Sequence, residues 1–233
     1  MLKIENLTKT YGEKRAVDGL SLHINKGEVY GFIGHNGAGK TTTLKAVCGI
    51  LQFEEGDVFV DGKSVKENPL ACKKHIAYIP DNPDLYGFMT GIQYLQFVAD
   101  VFQMDTASRK EKIEKYAGAF ELTPALAQPI STYSHGMKQK LALISGFMHE
   151  PSLIVMDEPF VGLDPKAAHT LKGLMRDLCN RGGAIFFSTH VLEVAEKLCD
   201  KIAIIKGGKL VKEGTMDEVK GDSSLENVFL ELV

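Results

Sequence analysis

Short apolar runs and turn residues alternate along most of this chain, but the spacing of the apolar positions changes character twice. Over the first thirty residues, short strand-like segments are separated by turns at Gly12-Glu13 and Lys26-Gly27, which predicts an antiparallel β preface. Glu28-Val29-Tyr30-Gly31-Phe32-Ile33 reads as a buried strand, and Thr42 to Leu51 as a helix. Asp57 to Lys63 carries a strand that ends in a D-G turn, and Ile76-Ala77-Tyr78-Ile79 another closed by Pro80. From about Phe88 to Glu150 the strand signals vanish. Helical spacing there puts Ile92, Leu95, Gln96 and Ala99 on one face, and Met137, Leu141, Ile144 and Met148 on another. Strands return at Leu153 to Met156, Ala184 to Phe187 and Ile202 to Ile205, with helix-like runs between them. The order predicts an α/β fold with a mostly parallel core sheet flanked by helices, an antiparallel N-terminal part and a helical insert at about 88–150.

Composition narrows the picture without deciding it. With 233 residues, 44% of them hydrophobic, the chain is sized for one domain with one sizeable core, spanning 1–233. A formal net charge of −3 argues against a broad polyanion-binding surface and hence against nucleic acid as a partner. Cysteines at 48, 72, 179 and 199 form no C-x-x-C pair, and the first residues show no signal-peptide apolar region, so buried thiols in a cytoplasmic protein are expected. No apolar run approaches the length that spans a bilayer; service to a membrane would require a partner.

Gly34-His35-Asn36-Gly37-Ala38-Gly39-Lys40-Thr41 fits the phosphate-loop pattern G-x-x-x-x-G-K-[ST], between a strand-like and a helix-like run. Glycines at 34, 37 and 39 let backbone N–H groups turn inward at a helix N-terminus, where unsatisfied donors and the helix dipole favour a polyphosphate. Lys40 supplies a charge to the β- and γ-phosphates, and the hydroxyl of Thr41 is placed to ligate Mg²⁺. Thr42 continues the loop into its helix. Downstream, Leu153 to Met156 is an apolar strand ending in Asp157 and Glu158, so both acids emerge at the strand's C-terminal edge. There Asp157 would hold Mg²⁺ through its water shell, and Glu158 would orient or deprotonate an attacking water. Alone, such a pair is often a solvated strand end; the upstream loop makes it functional.

Tyr133-Ser134-His135-Gly136-Met137-Lys138-Gln139 precedes a helical run, with Ser134 as a good N-cap. Here the chain resembles the ATP-binding cassette (ABC) family of P-loop ATPases, whose signature L-S-G-G-Q lies between the phosphate loop and the Asp-Glu strand. His135 replaces the first signature glycine and Met137 the glutamine; the form Y-S-x-G-M-K-x-[KR] looks like the subgroup serving ABC-2 type exporters. The tail Ser224 to Leu232 is similar to that subgroup's S-L-E-[DN]-V-F-L ending.

The resemblance extends along essentially the whole chain. It implies that Tyr11 stacks on adenine, that Asp164 in Phe160-Val161-Gly162-Leu163-Asp164-Pro165 belongs to a loop linking the two sites of a dimer, and that His190 contacts the γ-phosphate. It further implies that Ser134 and Gly136 face the nucleotide held by another protomer. Where the family usually has glutamine after the Ile76–Ile79 strand, this chain has Asp81, which is either a metal or water ligand or a turn residue before Pro83. The implied protein hydrolyses ATP with Mg²⁺ in a head-to-tail dimer, with a second copy or a paralogue. It energises a separate integral membrane subunit, that of an exporter, from the inner face of the cell membrane. Residues from Asn82 to about Met104 would receive that subunit. The competing reading is a soluble cassette ATPase acting on ribosomes or DNA; those relatives usually carry tandem cassettes, coiled coils or basic extensions.

Overall fold

The computed structural model describes residues 1–232. Two long strands open it: β1 (Leu2–Tyr11) and β2 (Lys14–Ile24) pair antiparallel around the Gly12-Glu13 turn. β3 (Val29–Ile33) enters the interior with all five residues buried, and α1 (Lys40–Val47) follows it. β4 (Glu55–Val60) and β5 (Lys63–Ser64) complete a four-stranded antiparallel sheet in the order β2-β1-β4-β5. A short α2 (Pro69–Lys73) then leads to β6 (Ile76–Ile79).

No strand lies between β6 and β7 (Leu153–Asp157) among the described residues. The interval holds α3 (Gly91–Val101), α4 (Thr106–Ala119) and α5 (His135–Met148), whose apolar stripes meet through Leu95 and Ala99, Ile113 and Tyr116, and Leu141 and Ile144. α5 lies close enough to β6 that a Cβ at Gly146 would fall 2.9 Å from Ile79 Cδ1. After β7 the chain alternates as α6 (Pro165–Asn180), β8 (Ala184–Thr189), α7 (Leu192–Leu198) and β9 (Lys201–Lys206). It closes with β10 (Lys209–Thr215), α8 (Met216–Lys220) and α9 (Leu225–Leu232).

The second sheet runs β10-β9-β3-β8-β7-β6. β9, β3, β8, β7 and β6 are parallel neighbours, and β10 is antiparallel at the edge. Alternating side chains of the central strands feed two cores: Val29, Ile33, Ile154 and Met156 on one face, Tyr30, Phe32, Leu153 and Val155 on the other. Burial on both faces is why these strands read as unbroken apolar runs.

Three expectations shift. α1 begins at Lys40 rather than Thr42 and ends at Val47, because Gly39 and Gly49, both with positive φ, bracket it. Gln96 is exposed at the margin of the α3 stripe, where its amide stays in water. β10, absent from the expected strands, carries no long apolar run: as an edge strand it alternates exposed Lys209, Val211 and Glu213 with half-buried Leu210, Lys212 and Gly214, joined to β9 through Gly207-Gly208.

Candidate active site

The C-terminal ends of β3 and β7 lie across β8 from each other, and the loops that leave them enclose a cleft of about 320 Å³. Its floor is the phosphate loop. Gly39 caps α1 in a left-handed conformation (φ 110°), and a Cβ there would strike the Ala16 carbonyl at 2.3 Å, so only glycine fits. His35, Asn36, Gly37, Gly39, Lys40, Thr41 and Thr42 all line the cleft. Gly34 and Ala38 do not; Ala38 is buried, its carbonyl accepting from Gly208 N at 2.9 Å.

Lys40 is 6% exposed, and its ammonium is held over the loop rather than released to water. Nζ donates to the Gly34 carbonyl at 2.6 Å and the His35 carbonyl at 3.3 Å, and stands 3.7 Å from Glu158 Oε1. The Thr41 hydroxyl donates to Asp157 Oδ2 at 2.5 Å. Thus residues 116 positions apart set a hydroxyl and a carboxylate side by side at the helix N-terminus. Asp81 lines the same cleft, on the exposed turn after β6.

Glu158 adopts φ 47°, an uncommon conformation for a residue with a side chain. Its backbone N–H donates to Ser188 O at 3.2 Å and Ser188 Oγ at 3.1 Å. Oε2 accepts from His190 N at 3.3 Å, and His190 Nδ1 stands 2.9 Å from Oε1. The Glu158 side chain is 11% exposed, that of His190 55%. Carboxylate and imidazole therefore form a pair at the rim of the cleft.

Ser188 ties this arrangement together. Opposite Asp157 in the β7–β8 register, it donates its hydroxyl to Asp157 Oδ1 at 2.5 Å while accepting from Glu158 N. Sequence reasoning did not single out Ser188; the parallel register that aligns it is not visible in either segment alone. Lys14 and Ala16 were likewise missed, yet both line the cleft beside Tyr11. Their proximity to Tyr11 across the β1–β2 turn was the available signal. Tyr11 is 51% exposed, with Lys9 Nζ 5.3 Å from its ring centre, leaving a ring face available for stacking. Near the acids, burial first, and then the Asp157 charge, push the Tyr78 phenol up.

Ser134, Gly136 and Asp164 do not join the cleft. Ser134 caps α5 by accepting from Met137 N at 3.3 Å, and Asp164 caps α6 by accepting from Ala167 N at 2.8 Å. Lys140 sits 2.6 Å from Asp164, and its hydrogen bond holds that carboxyl below the usual range. Gly136 and Gly162 pack the two turns together, since a Cβ at 136 would fall 2.7 Å from the Gly162 carbonyl.

The ABC transporter family pattern matches residues 17–161, more than half of the chain. The chain belongs to the ABC transporter family. Over 224 residues it is 38% identical to the ABC transporter ATP-binding protein YhcH of Bacillus subtilis, covering 94% of this chain and 72% of that one. It is 32% identical over 219 residues to the linearmycin resistance ATP-binding protein LnrL of the same organism, covering 94% and 70%. A solved ATP-binding subunit of an ABC transporter superposes with a TM-score of 0.95 at 31% identity, over 100% of this chain and 99% of that one. The fold is shared by a dimeric cassette, MJ0796, captured after hydrolysis with ADP and phosphate, at 23% identity and TM-score 0.85, covering 93% and 99%. The ABC protein described here is an ATP-binding and ATP-hydrolysing transporter component.

Proposed function

We propose that residues 1–233 form one ABC ATPase domain, with its helical part at about 88–150, that powers a membrane exporter from the inner face of the cell membrane. The observation that carries the site assignment is the convergence of Lys40, Thr41, Asp157 and Glu158, drawn from two distant segments, in one cleft under Tyr11. Backbone N–H groups of residues 34–42 would hold the phosphates, Lys40 their β- and γ-charge, and Tyr11 the base. Glu158 would take or direct the proton of the attacking water, with His190 fixing its orientation at the γ-phosphate. Catalysis is then positioning plus electrostatics.

The oxygen donors fit Mg²⁺. Thr41 Oγ1 and Asp157 Oδ2 already lie together, and Asp81 borders the same space, all hard ligands of the kind magnesium takes in small number beside phosphate and water. Bound there, the ion would offset triphosphate charge.

Ser134, Gly136 and Asp164 would meet the nucleotide of a second ABC subunit, identical or paralogous. Their position outside this chain's own cleft supports that role. For the membrane subunit, the supporting feature is an aromatic cluster after Asp81. Phe88 is 82% exposed and Tyr86 48%, with Tyr86 ring centres 5.8 Å from both Phe88 and Phe97. Such contiguous exposed apolar groups suit a partner. Among the described residues no helix is long and apolar enough to cross a membrane. The resistance role in LnrL's name favours export. Affinity purification from native membranes in mild detergent tests the reading: a stoichiometric multi-span protein, lost with Phe88→Asp, is expected. Ribosomal or DNA-bound partners alone would overturn it.

A further inference from the structure

The C-terminal helix α9 reaches the phosphate loop from behind. Phe229, 7% exposed, sets its ring against that of His35 with centres 5.0 Å apart and planes at 65°. Such edge-to-face geometry is the favoured contact of two aromatic quadrupoles. His35 lines the nucleotide cleft, and its carbonyl accepts from both Lys40 Nζ and Ala38 N. Leu225 and Val228, both buried, anchor α9, and Lys206 Nζ donates to the Leu232 carbonyl at 3.3 Å. Lys206 ends β9, whose hairpin Gly208 N–H donates to Ala38 O in the same loop. α9 therefore bears on the loop twice, directly through His35 and indirectly through the hairpin beneath it.

A loop that captures phosphate with backbone N–H groups binds well only if those donors already converge, because each degree of freedom frozen on binding weakens affinity. We propose that Phe229 is a positioning residue of the ATP site. Through His35 it holds the phosphate loop in its binding shape, which makes α9 a working part of the nucleotide pocket. The inference rests on assigning residues 34–41 as the phosphate site.

A double-mutant cycle on the full chain tests it, reading ATP affinity by calorimetry with Mg²⁺ present. Phe229→Leu keeps an apolar side chain but removes the ring; it should weaken ATP binding roughly threefold to tenfold, the range expected for one aromatic pair. His35→Ala should produce a similar loss, and Phe229→Leu should add nothing in the His35→Ala background. In hydrolysis the loss should fall on KM and leave kcat nearly unchanged, with thermal midpoints compared to show that each variant is folded. If Phe229→Leu does not fold, Phe229→Met replaces it. Equal losses in both backgrounds, an unchanged affinity, or a loss confined to kcat would overturn the proposal. Failure of the unsubstituted chain to bind ATP would instead overturn the phosphate-site assignment itself, and this inference with it.

Discussion

Two glycine-containing turns, the phosphate loop at 34–41 and the turn at 133–137, each begin a helix, yet they are finished to different degrees. The first lines a cleft. Lys40 is buried, its ammonium bonded to two loop carbonyls, and Thr41 is bonded to Asp157, so the loop faces a cleft walled by its own chain. The second turn faces outward: Ser134 is exposed and spends its hydroxyl on capping α5, while Gly136 is pressed against Gly162. A site that lines a cleft of its own chain can bind a ligand alone. A turn whose shape is equally constrained, but which borders no cleft of its own, makes physical sense when a second surface supplies the ligand.

The comparison breaks most sharply at Glu158. Glu158→Gln keeps the shape of the site and removes the proton acceptor, so turnover should fall about a thousandfold while ATP binding persists, the scale expected of a lost general base. Trapping of a dimer by that variant, read by light scattering, would show the two turns meeting across subunits. Normal turnover would remove Glu158 as the base. Lys40→Ala should damage both binding and hydrolysis in the single chain, with hydrolysis down about a hundredfold through the lost charge at the phosphates.

Gly136→Ala sharpens the contrast further. Its Cβ would meet the Gly162 carbonyl at 2.7 Å, so the two outward turns must move apart. ATP affinity of the isolated chain should hold, whereas hydrolysis should fall roughly tenfold to a hundredfold, as a misplacement on the order of 1 Å would produce. Loss of affinity in the isolated chain would show instead that this turn serves its own cleft.

The smallest effect lies at the opposite end of α5, where His149 stacks on Phe102 with ring centres 3.6 Å apart. Burial lowers the His149 pKa from its ordinary 6.5. The folded state thus binds fewer protons than the unfolded one just below that value, so stability is full above pH 6.5 and declines as pH falls beneath it. The slope from this group is at most about 1.4 kcal/mol per pH unit. His149→Gln should flatten the dependence of thermal midpoint on pH between 6.5 and the lowered value, and should leave the nucleotide cleft untouched. An unchanged slope would show that the imidazole does not set it.

Legibility in the sequence followed locality. The phosphate loop was readable because one unbroken stretch carries strand, turn, lysine, hydroxyl and helix. Asp157 and Glu158 were readable because a wholly buried parallel strand must be apolar until it emerges. β10 was harder, since an edge strand bearing lysines carries weak apolar alternation, although Gly207-Gly208 marks its turn. Ser188 escaped notice as a site residue because its importance comes from pairing with Asp157 across a register, and Lys14 because it enters the cleft only when β2 folds back on β1.

By itself, the sequence determined the family, the parallel core with its helical insert, and the identity of most groups lining the cleft, because these depend on periodicity and on motifs within single segments. Tertiary structure alone decided which distant groups touch: Thr41 on Asp157, Ser188 between Asp157 and Glu158, and Phe229 of the last helix against His35 of the phosphate loop. The physical reason is that strand order and register set contacts between residues far apart in the chain, and neither is encoded in any one segment.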